Sequence, residues 1–235
     1  MLKGDLKKQA IIDTAEKLFF EKGYMKTTIQ DFLEALDCSK GSFYHHFDSK
    51  LQVLMELCRQ KASAGLVKYQ LQRDGKPLDR LNTLIYCAMP FRAGEEKTLA
   101  LLIPLTGMTD GKLVLDAILD AQKEEFFPEM CSLLEELRER GQVYYTLPML
   151  PDILWDAYSA VYRRLMEEAI SIQQGGATGK TVQLIEAERF LWERLLDAPF
   201  GSVELIRADE ALTTISHAIS RLKRMETAQE GRGAD

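Results

Sequence analysis

Between Tyr24 and Lys50 the chain reads YMKTTIQDFLEALDCSKGSFYHHFDSK, a stretch whose polar residues could do recognisable chemistry. Lys40 can donate to the acceptors on the major-groove edge of guanine, and Gln30 can pair with adenine. Thr28, Tyr44, His45 and Lys50 are suited to phosphate oxygens, contacts that position a protein on a duplex without reading its sequence. Ser39 and Ser42 add hydroxyls on either side of Lys40. Gly41 stands among them, although a glycine inside a helix costs about 1 kcal/mol relative to alanine. Close approach of the backbone to DNA supplies a reason to carry it. Any one of these side chains alone reads as solvated helix surface, and only their joint spacing favours DNA contact.

Such residues need elements to hold them. Ile29, Phe32, Leu33 and Leu36 recur at i, i+3, i+4 and i+7, which predicts a helix over 28–36 with that face packed inward. Phe43 and Phe47 can anchor a second short helix over 39–46, leaving Ser39, Lys40, Ser42, Tyr44 and His45 outward, with a tight turn near Asp37 and Cys38. This is the layout of a helix-turn-helix, whose second helix enters the major groove. Upstream, Ile11, Ala15, Leu18 and Phe19 predict a helix over 5–22. Thr27, three residues before Gln30, reads as a capping box, and Asp48 or Ser49 can cap the helix that follows. Helical spacing continues over 49–73, 78–91, 95–107, 111–140, 151–173, 181–197 and 209–225, and no useful strand pattern interrupts it. Pro128 is expected to kink the longest of these helices, since proline removes a backbone donor and crowds the preceding turn.

At Gly23, Tyr24, Thr27, Thr28, Gly41, Tyr44, His46, Phe47 and Lys50 the chain resembles the TetR (tetracycline repressor) family in residue type and spacing. The resemblance covers about 45 residues, with a weaker likeness through FFPEMCSLLEELRERGQVYYTLP. Two departures stand out. Asp37 takes the place of the usual turn glycine, which aspartate can replace because it tolerates a left-handed conformation. Phe32 and Leu33 replace smaller residues. The resemblance implies an all-α chain, with an N-terminal three-helix DNA-binding domain (1–48) and a larger helical bundle (49–225) for ligand binding and dimerisation. A tail (226–235) is expected to be disordered. It further implies a homodimer, assigned by position to helices 151–173 and 181–197. Its recognition helices would sit about 34 to 36 Å apart on a near-palindromic operator.

Composition is compatible with this and excludes several other classes. With 46% apolar residues among 235, a substantial core can form. The net charge of −6 is uneven: residues 1–60 hold nine basic and nine acidic residues of the chain's 30 and 36, which leaves 21 and 27 for the remainder. Four scattered cysteines and three histidines argue against a zinc site or a disulfide framework, so no metal and no cofactor is expected. No nucleophile and base pair up in the sequence, and an enzyme is not expected. GGATGKT at 175–181 lacks the first glycine of a phosphate-binding loop, because Gln174 stands there. No stretch is long and apolar enough for a membrane span, and MLKGDLKKQ has no apolar run behind its lysines, so a cytoplasmic location is expected.

In the C-terminal part Tyr86, Met89, Phe91, Met108, Phe127, Met130, Trp155, Tyr158 and Tyr162 lie at helical spacing. That spacing most often means core, and the family resemblance makes the same residues candidates for lining a small-molecule pocket. The acidic surplus hints at a cationic ligand, against the ordinary reading of a solvated face. The expected function is a ligand-released repressor. Its alternative is an activator or architectural DNA-binding protein whose C-terminal domain takes a protein partner.

Overall fold

The computed structural model describes residues 3–107, 111–177 and 179–230, and all regular structure among them is helical. The order is α1 (Lys3–Lys22), α2 (Ile29–Ala35), α3 (Lys40–Tyr44), α4 (Lys50–Gln72), α5 (Pro77–Ala88), α6 (Glu96–Thr106), α7 (Gly111–Glu139), α8 (Leu150–Gln173), α9 (Gly179–Leu195) and α10 (Ala208–Glu230). Each expected helix is present. α10 reaches Glu230, so it takes in the first residues of the segment expected to lack structure, and 231–235 lie outside the described residues. α7 runs on through Pro128. None of the described helices is long and apolar enough to cross a membrane.

α1, α2 and α3 close around an aromatic chain. Phe32 lies 5.9 Å from Phe19 and 5.4 Å from Phe43, ring centre to ring centre, and all three are fully buried. The large Phe32 thus fills the middle of a small core, which burying each such ring stabilises by about 1.5–3 kcal/mol. α4 packs along α1 and then continues against α5 and α7, with Val53, Leu54 and Leu57 buried. Gly65 permits that second contact, since a Cβ there would stand 3.0 Å from the Cys87 carbonyl oxygen and 3.1 Å from the Phe126 ring. Around this axis α6 pairs with α10 and α8 with α9, and Trp155, Tyr158, Tyr162 and Trp192 are buried.

Candidate nucleic-acid interface and the neighbouring cavity

The turn between α2 and α3 is built by backbone geometry. Asp37 has φ +44°, the left-handed conformation expected of the residue standing in for glycine. The Cys38 amide donates to the Leu33 carbonyl at 3.0 Å and the Asp37 amide to that of Glu34 at 3.4 Å, which closes the end of α2 as a Schellman motif. α3 then starts at Ser39, whose hydroxyl oxygen accepts from the Ser42 amide at 3.2 Å. Phe43 and Phe47 are buried, and Lys40, Gly41, Tyr44 and His45 are exposed. Lys40 Nζ lies 6.0 Å from the centre of the Tyr44 ring, so these two side chains share a face one turn apart. Gly41 has an ordinary backbone, and a Cβ on it would meet nothing within 4 Å. Nothing inside the protein therefore requires glycine there.

The cap of α2 differs from the expected one. Thr28, and not Thr27, is the N-cap, and its partner three residues on is Asp31. Thr27 is buried, with its hydroxyl donating to the Gly23 carbonyl at 2.8 Å, so it cannot serve as a cap. Asp31 accepts from the Thr28 amide at 2.6 Å, the Thr28 hydroxyl at 2.8 Å and Lys22 Nζ at 2.5 Å. The Lys22 hydrogen bond, followed by those from Thr28, lowers the Asp31 pKa to about 2. The Thr28 hydroxyl hydrogen is thus already committed. Gln30 is exposed and donates to Glu34 at 3.0 Å.

Lys50 is turned inward. Its Nζ donates to the carbonyls of Tyr24 and Thr27, each at 2.7 Å, and lies 4.2 Å from the centre of the Tyr24 ring. Burial lowers its pKa, and the charge of Asp31 opposes that shift. A lysine at the first position of α4 therefore staples the α1–α2 turn to the long helix. Its residue type suggested a phosphate contact. The two carbonyls it satisfies are a product of the fold and leave no sequence signal.

A cavity of about 750 Å³ lies where α1 and α4 meet α5 to α8. Of the aromatic and methionine candidates it takes in Met89 and Tyr162. Phe91 packs against Tyr162 at 5.6 Å, and the Tyr158 hydroxyl donates to Gln122, itself in the wall, at 3.2 Å. Trp155 and Phe127 stack on each other at 5.9 Å outside the lining, Met130 is fully buried, and the Tyr86 hydroxyl donates to Glu210 at 2.6 Å. Met108 lies outside the described residues. Helical spacing of large apolar residues marks packing, and most of these side chains are spent on it. The lining that spacing missed includes a charged set: Asp13, Glu16 and Lys17 from α1, Lys61 and Lys68 from α4, and Arg92 and Glu95 from the α5–α6 loop. Two cysteines in the wall, Cys58 and Cys87, have their thiol pKa raised by burial, that of Cys58 to about 12.

Comparison with known proteins agrees with this geometry. Residues 11–57 match the family described as bacterial regulatory proteins, tetR family. The negative transcriptional regulator IcaR of the biofilm operon icaADBC, from Staphylococcus aureus, is 48% identical over 46 residues, 20% of this chain and 25% of IcaR. The matched stretch spans between a quarter and about two fifths of the length of the curated relatives (26%, 41% and 25% for three of them). A TetR-family transcriptional regulator from Pectobacterium atrosepticum superposes with a TM-score of 0.61 at 21% identity, covering 84% of this chain and 97% of that one. RolR in complex with resorcinol superposes with a TM-score of 0.52 at 14% identity, covering 91% and 95%. The chain is therefore TetR-like: its N-terminal helix-turn-helix resembles that of the tetR family, and the chain shares the fold of a TetR-family regulator.

Proposed function

We propose that the protein is a transcriptional repressor that binds a near-palindromic operator as a homodimer in the cytoplasm and is released by a small molecule. The observation that carries this is the exposed row on α3, where Lys40 and Tyr44 flank a glycine that no internal contact demands. In this reading Lys40 and Gln30 reach base edges, Ser39, Ser42, Tyr44 and His45 contact backbone or base, and Gly41 lets α3 crowd the groove. Thr28 and Lys50 act chiefly by holding α2 and the α1–α2 turn in place, given the partners they already have. Repression as the output is supported by IcaR, a negative regulator.

The division into a reading module (1–48), a sensing and dimerising body (49–225) and a tail keeps α4 as the link. α8 and α9 expose Ile153, Val182, Phe190 and Leu191, apolar surface of the kind a symmetric partner would cover. The cavity speaks for a ligand over a protein partner, since its volume is in the usual range for small-molecule sites. RolR, which shares the fold, holds resorcinol. A molecule seated there touches α1 and α4 at once, and so can alter the spacing of two recognition helices.

The test is selection of duplexes from a random pool by the purified protein, followed by gel-shift titration. Lys40→Ala and Tyr44→Ala should each weaken the selected site by about 1–3 kcal/mol. No enriched duplex, or unchanged affinity in both variants, would overturn the assignment.

A further inference from the structure

Where the turn after α3 meets the start of α1, the side chains that gather carry one sign of charge. His45 and His46 stand edge to face with ring centres 4.9 Å apart, His45 exposed and His46 half-buried. From α1, Lys8 Nζ lies 5.9 Å from the centre of the ring of Phe47, the residue after His46. Lys7, beside Lys8, is exposed and forms no ion pair among the described residues. Carboxylates do not balance this cluster. Glu56 of α4 is shared between Lys8 and Arg59, at 3.1 and 2.9 Å, and Asp48, two residues beyond His46, pairs with neither imidazole. The ring nitrogens of His46 have no hydrogen-bond partner among the described residues, so the fold commits them to neither protonation state.

In the free protein these surroundings work against a proton on His46. Burial first, and then the charges of His45, Lys7 and Lys8, lower its pKa below the ordinary histidine value of about 6.5. The ring is therefore neutral at neutral pH. A duplex reverses the field. Phosphates in contact with His45 come within about one Debye length, ~8–10 Å, of the His46 ring, because the two imidazoles are neighbours. The same phosphates neutralise the lysines that repel a proton there.

We propose that operator binding is linked to protonation of His46: the imidazole is neutral in the free protein and takes up a proton from solvent when phosphates settle on His45 and Lys7. The inference rests on the reading of α3 as a DNA-contacting helix, and it gives that helix an input, acidity, separate from any effector in the cavity. A pKa higher in the complex than in the free protein makes affinity rise as pH falls from the bound-state value toward the free one, and level off outside that window. One proton per module allows a rise of up to about tenfold per pH unit for each module. A repressor built this way grips its operator harder as its surroundings acidify.

The experiment uses the full-length protein and a duplex that it selects from a random pool. Fluorescence anisotropy gives the affinity of the parent and of His46→Gln between about pH 8 and 6 at fixed ionic strength. NMR titration follows the imidazole protons with and without the duplex, and with three histidines in the chain the signal lost in His46→Gln identifies His46. The parent should gain about fivefold or more in affinity over that range, and His46→Gln should lose most of the gain. The midpoint of His46 should move up on DNA binding by about half a unit or more. If His46→Gln does not fold, the three signals are assigned through the other two histidines and the midpoint decides. An affinity that pH leaves unchanged, a His46→Gln variant with the pH dependence of the parent, or a midpoint that DNA leaves in place or lowers overturns the proposal, and the DNA reading stands. If no duplex is enriched, the reading of α3 fails and the proposal falls with it.

Discussion

Gly41 separates a structural from a functional role with one atom. A Cβ at this position meets nothing inside the protein and the backbone is not left-handed, so Gly41→Ala should raise the stability of the module by up to about 1 kcal/mol through helix propensity. If α3 crowds a groove, the same methyl group should weaken operator binding. A thermal melt and a gel shift on one sample check both signs, and a variant that binds as tightly as the parent would end the close-approach argument. Lys50 poses the converse case. Its ammonium is held by two backbone carbonyls, so Lys50→Met should lower the melting temperature and weaken DNA binding while leaving the salt dependence of binding unchanged. Loss of a true phosphate contact would instead flatten the log–log salt slope by about 1. Asp31 adds a pH dependence with a definite sign. Its folded pKa, about 2, is below its unfolded value of about 3.9, so its contribution is complete above that unfolded value and lost as pH falls toward the folded one. Asp31→Asn should abolish that part of the acid transition, followed by circular dichroism between about pH 5 and 2.

At the scale of elements, the sequence was most legible where apolar spacing and caps agree. All the described helices follow from the periodicity of residues such as Ile29, Phe32, Leu33 and Leu36, and Ser49 caps α4 as its type suggests. The register of the α2 cap was not legible, because Thr27 and Thr28 are chemically alike and only packing against α1 decides which one is buried. Cavity lining was less legible still. A large side chain at helical spacing looks the same whether it fills a core or faces a void, and Arg92 lies in a loop where no periodicity marks it as buried. α9 carries a comparable case in Glu188, fully inside a helix pair, with Oε1 lacking a partner. Burial holds its carboxyl well above the usual carboxylate range. The folded state then keeps a proton that the unfolded chain releases above about pH 4.3, so this residue makes stability decline as pH rises from there until its folded pKa is passed. Glu188→Gln should match or exceed the parent at neutral pH and lose that decline in denaturant titrations across the pH range. A strongly destabilised glutamine variant would mean that the carboxyl is needed in its charged form.

The whole molecule joins a charge-balanced reading module to an acidic body through one helix, α4, that packs on both. The seam between α1 and α4 includes polar pairs: Gln9 and Gln60 exchange amide hydrogen bonds at 3.2 and 2.9 Å, and Lys8 pairs with Glu56 at 3.1 Å. An exposed ion pair such as Lys8–Glu56 is worth about 0–1 kcal/mol, so exchanging it in a switch between two spacings costs little. Charge then governs how the molecule meets DNA. With −6 overall and the surplus in the body, the body repels a duplex while the charge-balanced module does not, so approach with the N-terminal module foremost is favoured. A dimer making about six to ten phosphate contacts should lose about 10³–10⁵ in affinity between 50 and 200 mM salt. Because the acidic body opposes any contact that the two modules do not make, binding to random duplex should be feeble at the upper salt concentration while the selected site is still occupied. Fluorescence anisotropy over that salt range, with selected and random duplexes side by side, decides the matter. A shallow slope shared by both would mean that α3 does not present its face to the backbone of DNA at all.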